Sequence, residues 1–189
     1  MKIRPYEEKD WADVRFVCLN SEGPCPYSEE TSFFILTTYC DYFIEKEGSN
    51  CFVAVDDNDR AVGYVICTED YDRYKKCFDE EYLTRFGDAE TRRRDEACAS
   101  SDIQRKYKNE YPAHLHIDVL PEYQRMGVGH RLIDTLCEHL RNKNIPGVML
   151  TVGKSNRVGR SFYEKYGFTL LEESGDDAAY ALKLQKAGE

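Results

Sequence analysis

The residues best suited to chemistry form the run Gln124-Arg125-Met126-Gly127-Val128-Gly129-His130, between an expected strand and an expected helix. A helix N-terminus carries free N–H groups and the positive end of a dipole, so such a junction can hold phosphate oxygens. Gly127 and Gly129 let the backbone approach an anion without an intervening Cβ, and Arg125, His130 and Arg131 add positive charge. This is not a dinucleotide fingerprint, because G-x-G-x-x-G is absent, and it lacks the Lys-Ser/Thr pair of a P-loop. Taken alone, a Gly-x-Gly between strand and helix is a turn more often than a phosphate site. Just upstream, Ala113–Leu120 alternates in character. Leu115, Ile117 and Val119 share one face; His114, His116 and Asp118 share the other. Two imidazoles and a carboxylate thus lie on one side of a strand leading into the glycine loop. Their plainer roles are half-buried strand polar groups and, for Asp118, a cap on the turn at Pro121.

Positioning these residues takes a mixed α/β domain. Ile3–Pro5 reads as a first strand. A helix from Glu7 to about Asn20 follows, with Trp11, Val14, Val17 and Cys18 at helical spacing, stopped by Gly23 and Pro24. A second helix from about Ser28 to Lys46 carries Phe33, Leu36, Cys40 and Phe43 on one face. Cys51–Val55 and Ala61–Thr68 read as an antiparallel hairpin. Residues 70–111 are rich in Asp, Glu, Lys and Arg and read as an insertion of one or two short helices with a mobile middle: a surface loop, or a lid or partner surface beside the site. Beyond the 113–120 strand, Val128, Leu132, Leu136 and Leu140 mark a helix to about Lys143, broken by Pro146 and Gly147. Val148–Val152 is a buried strand. Ser155 is the expected cap of a helix with Val158, Phe162 and Tyr166 at i, i+4, i+8, and strands near Phe168–Leu171 and Ala179–Leu184 close the chain. The order β-α-α-β-β-(insertion)-β-α-β-α-β-β describes a single α/β domain spanning residues 1–189.

Composition narrows the function. At 189 residues with 41% hydrophobic content, the chain can form one substantial core. No apolar run approaches a membrane span, and the charged start Met-Lys-Ile-Arg-Pro-Tyr-Glu-Glu does not resemble an export signal, so a cytoplasmic protein is expected. The eight cysteines contain no C-x-x-C and read as reduced thiols rather than a disulfide framework or a metal site. A net charge of −9 argues against nucleic-acid binding. The charge is uneven, however. Gln124–Tyr166 holds eight Lys/Arg and three Asp/Glu, leaving that stretch at +5 and the rest at −14. A basic island in an acidic chain fits an anionic ligand at one site and a cationic substrate beside it.

Q-x-x-G-x-G after a strand, with Asn156-Arg157-Val158-Gly159-Arg160-Ser161-Phe162-Tyr163-Glu164-Lys165-Tyr166-Gly167-Phe168 about thirty residues later, resembles the GNAT superfamily of acetyl-CoA-dependent N-acetyltransferases. The element order matches that family throughout, except for the 70–111 insertion. Ala113–Pro121 together with Phe162-Tyr163-Glu164-Lys165 is further similar to the acetyltransferase-like C-terminal domain of O-GlcNAcases, whose animal versions lack the intact loop kept here.

The resemblance implies a single-domain GNAT fold, a mixed twisted sheet flanked by helices, that takes acetyl-CoA as acetyl donor. The loop beginning at Gln124 would cradle the pyrophosphate with backbone N–H groups of Arg125, Met126, Gly127, Val128, Gly129 and His130. Val119 and Leu120 would pair with the pantetheine arm where strands splay apart at a bulge. Asn156 would bond the arm, and Arg160 could approach the phosphates. Tyr163 holds the family position of the phenol that protonates the leaving thiolate, its plainer role being packing. The acceptor amine, with a pKa near ~10.4, must lose a proton, and Asp118 or His116, with His114 behind them, are the candidate bases. The Leu120 N–H is the expected donor to the thioester oxygen. The implied activity is direct transfer to a small-molecule or peptide amine, cationic by the charge argument. The alternative is a catalytically silent acyl-CoA-binding or protein-interaction module. A homodimer is an expectation of the resemblance alone.

Overall fold

The computed structural model describes residues 1–23, 27–87, 91–99 and 101–184. Seven segments of β-branched, aromatic and small residues pair into one sheet in the order β1-β2-β3-β4-β5-β7-β6. These are β1 (Lys2–Pro5), β2 (Phe52–Val55), β3 (Ala61–Thr68), β4 (Ala113–Val119), β5 (Gly147–Gly153), β6 (Thr169–Ser174) and β7 (Asp177–Lys183). Every neighbouring pair is antiparallel except β4 and β5. Those two are parallel and pair only at Ala113–Val148 and His114–Met149, after which the sheet splits.

Each sheet face carries its own core. On one face lie α7 (Val128–Asn142) and α8 (Arg157–Tyr166). Val128, Leu132, Ile133, Leu136 and Leu140 of α7 pack there on Leu115, Val119, Val148 and Leu150, as their helical spacing predicts. On the other lie α1 (Trp11–Asn20), α2 (Glu29–Leu36) and α3 (Tyr42–Lys46). The expected single helix over 28–46 is interrupted by a π-helical turn, Thr37–Asp41. Its wider turn resets the apolar face. Before it Phe34, not Phe33, is buried; after it Tyr42, Phe43 and Ile44 are. Trp11 is also more exposed than its spacing suggests, with the Arg15 guanidinium stacked 4.3 Å from its ring. The cap of α8 is Asn156 rather than Ser155: its Oδ1 accepts from the Gly159 N–H at 2.8 Å.

The 70–111 insertion is more integral than a surface loop. In its described part, α4 (Tyr71–Cys77), α5 (Thr91–Ala99) and α6 (Asp102–Tyr107) are helical, and Tyr71, Tyr74, Phe78, Tyr82 and Phe86 are buried in the α1–α3 core. The high charge content masked this aromatic stripe. The 88–90 segment, in the expected mobile middle, lies outside the described residues.

Arg73 of α4 pins the insertion to buried Glu47. That carboxylate also accepts from Tyr42 Oη (2.9 Å), Asn50 Nδ2 (2.9 Å) and Thr68 Oγ1 (3.1 Å), while the Arg73 guanidinium contacts both its oxygens at 2.8 and 3.0 Å. Arg73→Met would leave a buried charge without its cation. The expected loss is about 2–3 kcal/mol of unfolding free energy, below the fully buried case because Arg73 reaches solvent. Urea denaturation of the two proteins measures it.

The described cysteines, Cys18, Cys40, Cys51, Cys67, Cys77, Cys98 and Cys137, are free thiols; Cys25 lies outside the described residues. Among the described residues no helix is long and apolar enough to cross a membrane.

Candidate active site

The split between β4 and β5 frees backbone groups. The Leu120 N–H donates to Val62 O at 2.9 Å on the β3 side. Backbone groups alternate sides along a strand, so the N–H groups of Ile117 and Val119 face the β5 side, beyond the last β4–β5 pair. The expected donor Leu120 is therefore already engaged, and its side chain is buried in the core. The donors that face the split are Ile117 and Val119. No bulge opens it either: β4 holds an unbroken register with β3 from His114 to Val119.

A cleft of about 920 Å³ runs from this split across the glycine loop to the start of α8. At the loop, Arg125 and Gly127 are both left-handed (φ 60° and 77°), and Gly127 leads directly into α7. A left-handed residue followed by a helical one turns successive N–H groups to one side. The Arg131 N–H is the one that bonds to Gly127 O, so the N–H groups of 128–130 precede the helical ladder. The glycines also meet local needs of the fold. Gly127 supplies the left-handed turn and has open space around it. Gly129 makes room for α8, since a Cβ there would lie 3.1 Å from the Phe162 ring.

Cations collect along the same cleft. Arg125 from the loop and Arg157 and Lys165 from α8 line it, with Ser161 between the latter two at helical spacing. None of these three cations makes an ion pair among the described residues, whereas most of the chain's other arginines and lysines do. His130 lines the same wall, its ring against Phe162 and Tyr166. Free N–H groups, unpaired cations and an open strand edge together suit an elongated ligand with a polyanionic end and an amide-bearing arm.

At the inner end of the cleft stand Asp118 and Tyr163. Asp118 projects from β4 toward the α1 side and accepts from Tyr64 Oη at 2.5 Å, with the Ser21 side chain nearby. Burial pushes its carboxyl up to about 6, against the pull of those two hydroxyls. Tyr163 comes from α8 on the opposite face of the sheet. Burial, and then the nearby Asp118 charge, push its phenol well above the usual range, so it stays protonated. Its hydroxyl has no hydrogen-bond partner among the described residues.

The other expected site residues divide. Met126 is exposed at the loop tip, and Val128 is buried beneath it. Gln124 is a strut: its amide donates to Val119 O and to Ser21 O, both at 2.8 Å, tying the loop to the ends of β4 and α1. Asn156 lines the cleft, but its carbonyl oxygen is spent on the α8 cap. Arg160 points away, bonded to Glu173 (2.6 Å) and Tyr180 Oη (3.0 Å) on β6 and β7, so it does not reach toward phosphates from there. His116 does not line the cleft. It sits against Tyr39 and Phe43, and burial pushes it down to about 4, which makes it a weak base at neutral pH. His114 lies deeper, its ring edge on Tyr74 and neither nitrogen hydrogen-bonded, and burial holds it neutral. Alternation correctly grouped the three on one face. The gradient along β4, which buries His114, half-exposes His116 and Asp118 and brings only Asp118 to the cleft, has no local signature.

A family model described as the acetyltransferase (GNAT) family matches residues 14–168, from α1 to the end of α8. The chain belongs to the GNAT acetyltransferase family. Solved structures with the same fold include SsHAT (TM-score 0.82, 23% identity, 98% of each chain covered). Another is the PaiA N-acetyltransferase of Thermoplasma acidophilum in complex with coenzyme A (TM-score 0.62, 19% identity, 96% of this chain and 98% of that one). Among curated proteins, 53 residues are 42% identical to the mycothiol acetyltransferase of Thermomonospora curvata, covering 28% of this chain and 18% of that relative. The match thus spans about a fifth of that relative's length. Within this GNAT fold, the glycine loop and α8 are the elements that the two sequence motifs mark, and they flank the split sheet.

Proposed function

We propose that the chain transfers the acetyl group of acetyl-CoA to a primary amine by direct attack within a ternary complex. The observation that carries this reading is the convergence of Asp118 and Tyr163 from opposite sheet faces on the β4–β5 split, with a cationic, N–H-rich loop at the other end of the cleft. The loop from Arg125 to His130 would hold the pyrophosphate, with Arg157 and Lys165 adding charge along α8 and Asn156 lending its remaining amide to the arm. Backbone N–H groups of Ile117 and Val119 would pair with the pantetheine arm and stabilise the thioester oxygen as it gains charge.

Asp118 is the base in this account. With its carboxyl near 6 it is mostly ionised at pH 7 and still basic enough to take a proton from an ammonium made acidic by transfer into the cleft. Tyr163 donates its hydroxyl proton toward the departing sulfur. The acidic remainder of the chain favours a cationic acceptor. Cytoplasmic residence, homodimer formation and a particular likeness to the O-GlcNAcase C-terminal domain belong to the same reading. A catalytically silent binding module would have no use for a buried carboxyl held near 6 opposite an unpartnered phenol.

Titration with acetyl-CoA tests the cofactor half. Ligand at 100 times its Kd should stabilise the fold by about 2.7 kcal/mol, visible as a thermal shift. The double reversal Arg125→Glu/Arg157→Glu should weaken that binding by about tenfold or more, and less so at high salt. Undiminished binding would remove the loop and α8 cations from the site.

A further inference from the structure

Asp118 faces a small, well-defined set of groups. Tyr64 lies directly across from it in the β3–β4 register and donates to its carboxylate. Ser21, at the end of α1, comes near it from the other element, with Glu22 beside it; Tyr163 faces it from α8. The thiols of Cys18 and Cys40 lie behind Tyr64, and His116 is two residues away on the same strand. No cation is among the groups that hold the carboxylate. Its negative charge is supported by the hydrogen bond from Tyr64, which comes from a site only 1% exposed, where no water can replace it.

Resting on the reading of Asp118 as the base, we propose that Tyr64 is a positioning residue for the reaction: its hydroxyl fixes the Asp118 carboxylate at the split and sets the pH at which it becomes a base. The Ser21 side chain, near the same carboxylate, also favours its charged form, and Gln124 ties Ser21 to the cofactor loop by donating to its carbonyl. Burial keeps the Tyr64 phenol protonated well past neutral pH, so it remains a donor throughout the working range. Removing it leaves the ionised carboxylate under-solvated, which raises its pKa; the sign is therefore a shift of the acid limb to higher pH.

Tyr64→Phe keeps the ring and deletes only the donor. The acid limb of the pH–rate profile should move up from about 6 by about 1 pH unit or more, the tenfold change in acidity that one charge-assisted hydrogen bond can supply. Turnover would fall about fivefold at pH 6 and return close to the parent value at pH 8. A merely structural tyrosine would lower turnover alike at every pH. Ser21→Ala, which removes the other neighbour that favours the charged carboxylate, should shift the limb in the same direction by less and serves if Tyr64→Phe does not fold.

The Asp118 carboxyl is also titrated directly by carbon NMR in parent and variant. If its pKa and the rate limb rise together, the inference stands. If the pKa does not move, Tyr64 does not tune Asp118 and the inference falls, with the base reading untouched. If the pKa moves while the limb stays, Asp118 is not the base, and that failure overturns the reading on which the inference rests.

Discussion

Asp118→Asn is expected to cut turnover by about 10²–10⁴-fold, the range that a positioned base contributes, while leaving acetyl-CoA affinity within about twofold. The same change should make the protein more stable at neutral pH. Burial raises the folded carboxyl to about 6 from an unfolded value near ~3.9, so ionising it in the folded state costs free energy. The stability this group lends is therefore full below about pH 4 and is lost as pH rises through 6. Asparagine fills nearly the same space and never ionises. The variant should match the parent near pH 4 and exceed it by about 1–3 kcal/mol at pH 8, a few degrees in thermal midpoint. Denaturation at the two pH values, beside a turnover assay, measures both halves. Lower stability at pH 8 with activity retained would make Asp118 a structural partner of Tyr64 instead.

Tyr163→Phe is expected to lower turnover by about 10–100-fold, by the same factor at every pH from 6 to 9. The flat profile follows from the direction of its pKa. A phenol pushed well above its usual range does not titrate in that window. It is also a weaker acid than an ordinary thiol, whose pKa is near ~8.5, so full proton transfer to the departing thiolate is uphill. What Tyr163 supplies is a hydrogen bond to sulfur as charge develops, worth about 1.5–3 kcal/mol for a charged acceptor in a water-poor site. Phenylalanine keeps the contacts with Phe162, Phe168 and Tyr180, so the fold should be unaffected. A loss that appeared only above pH 8 would point to a titrating acid.

The strands and the two long C-terminal helices were legible because each is a periodic pattern bounded by turn residues; β2, β3, β4 and α7 begin within a residue of their expected positions. The departures have separable physical causes. The π-helical turn at Thr37–Asp41 shifts a face by widening one turn, which a 3.6-residue reading cannot register. The insertion conceals a buried aromatic stripe beneath a charged exterior. The glycine loop, Asp118 and Tyr163 carry local motifs, and the fold brings them to one cleft. Tyr64 was missed because its link to Asp118 spans 54 residues and depends on strand register. Arg157 and Lys165 line the cleft, and their spacing on α8 was readable. The family resemblance implied Arg160 instead, whereas helix phase turns it toward β6 and β7.

The most direct test of the account is release of free CoA thiol from acetyl-CoA at pH 8 across a panel of primary amines, with the acetylated product followed by mass. The account predicts thiol release matched by amide product for at least one cationic amine, and its loss in Asp118→Asn under conditions where acetyl-CoA still binds. Saturating acetyl-CoA binding with no thiol release for any amine, or release undiminished in Asp118→Asn, would contradict it.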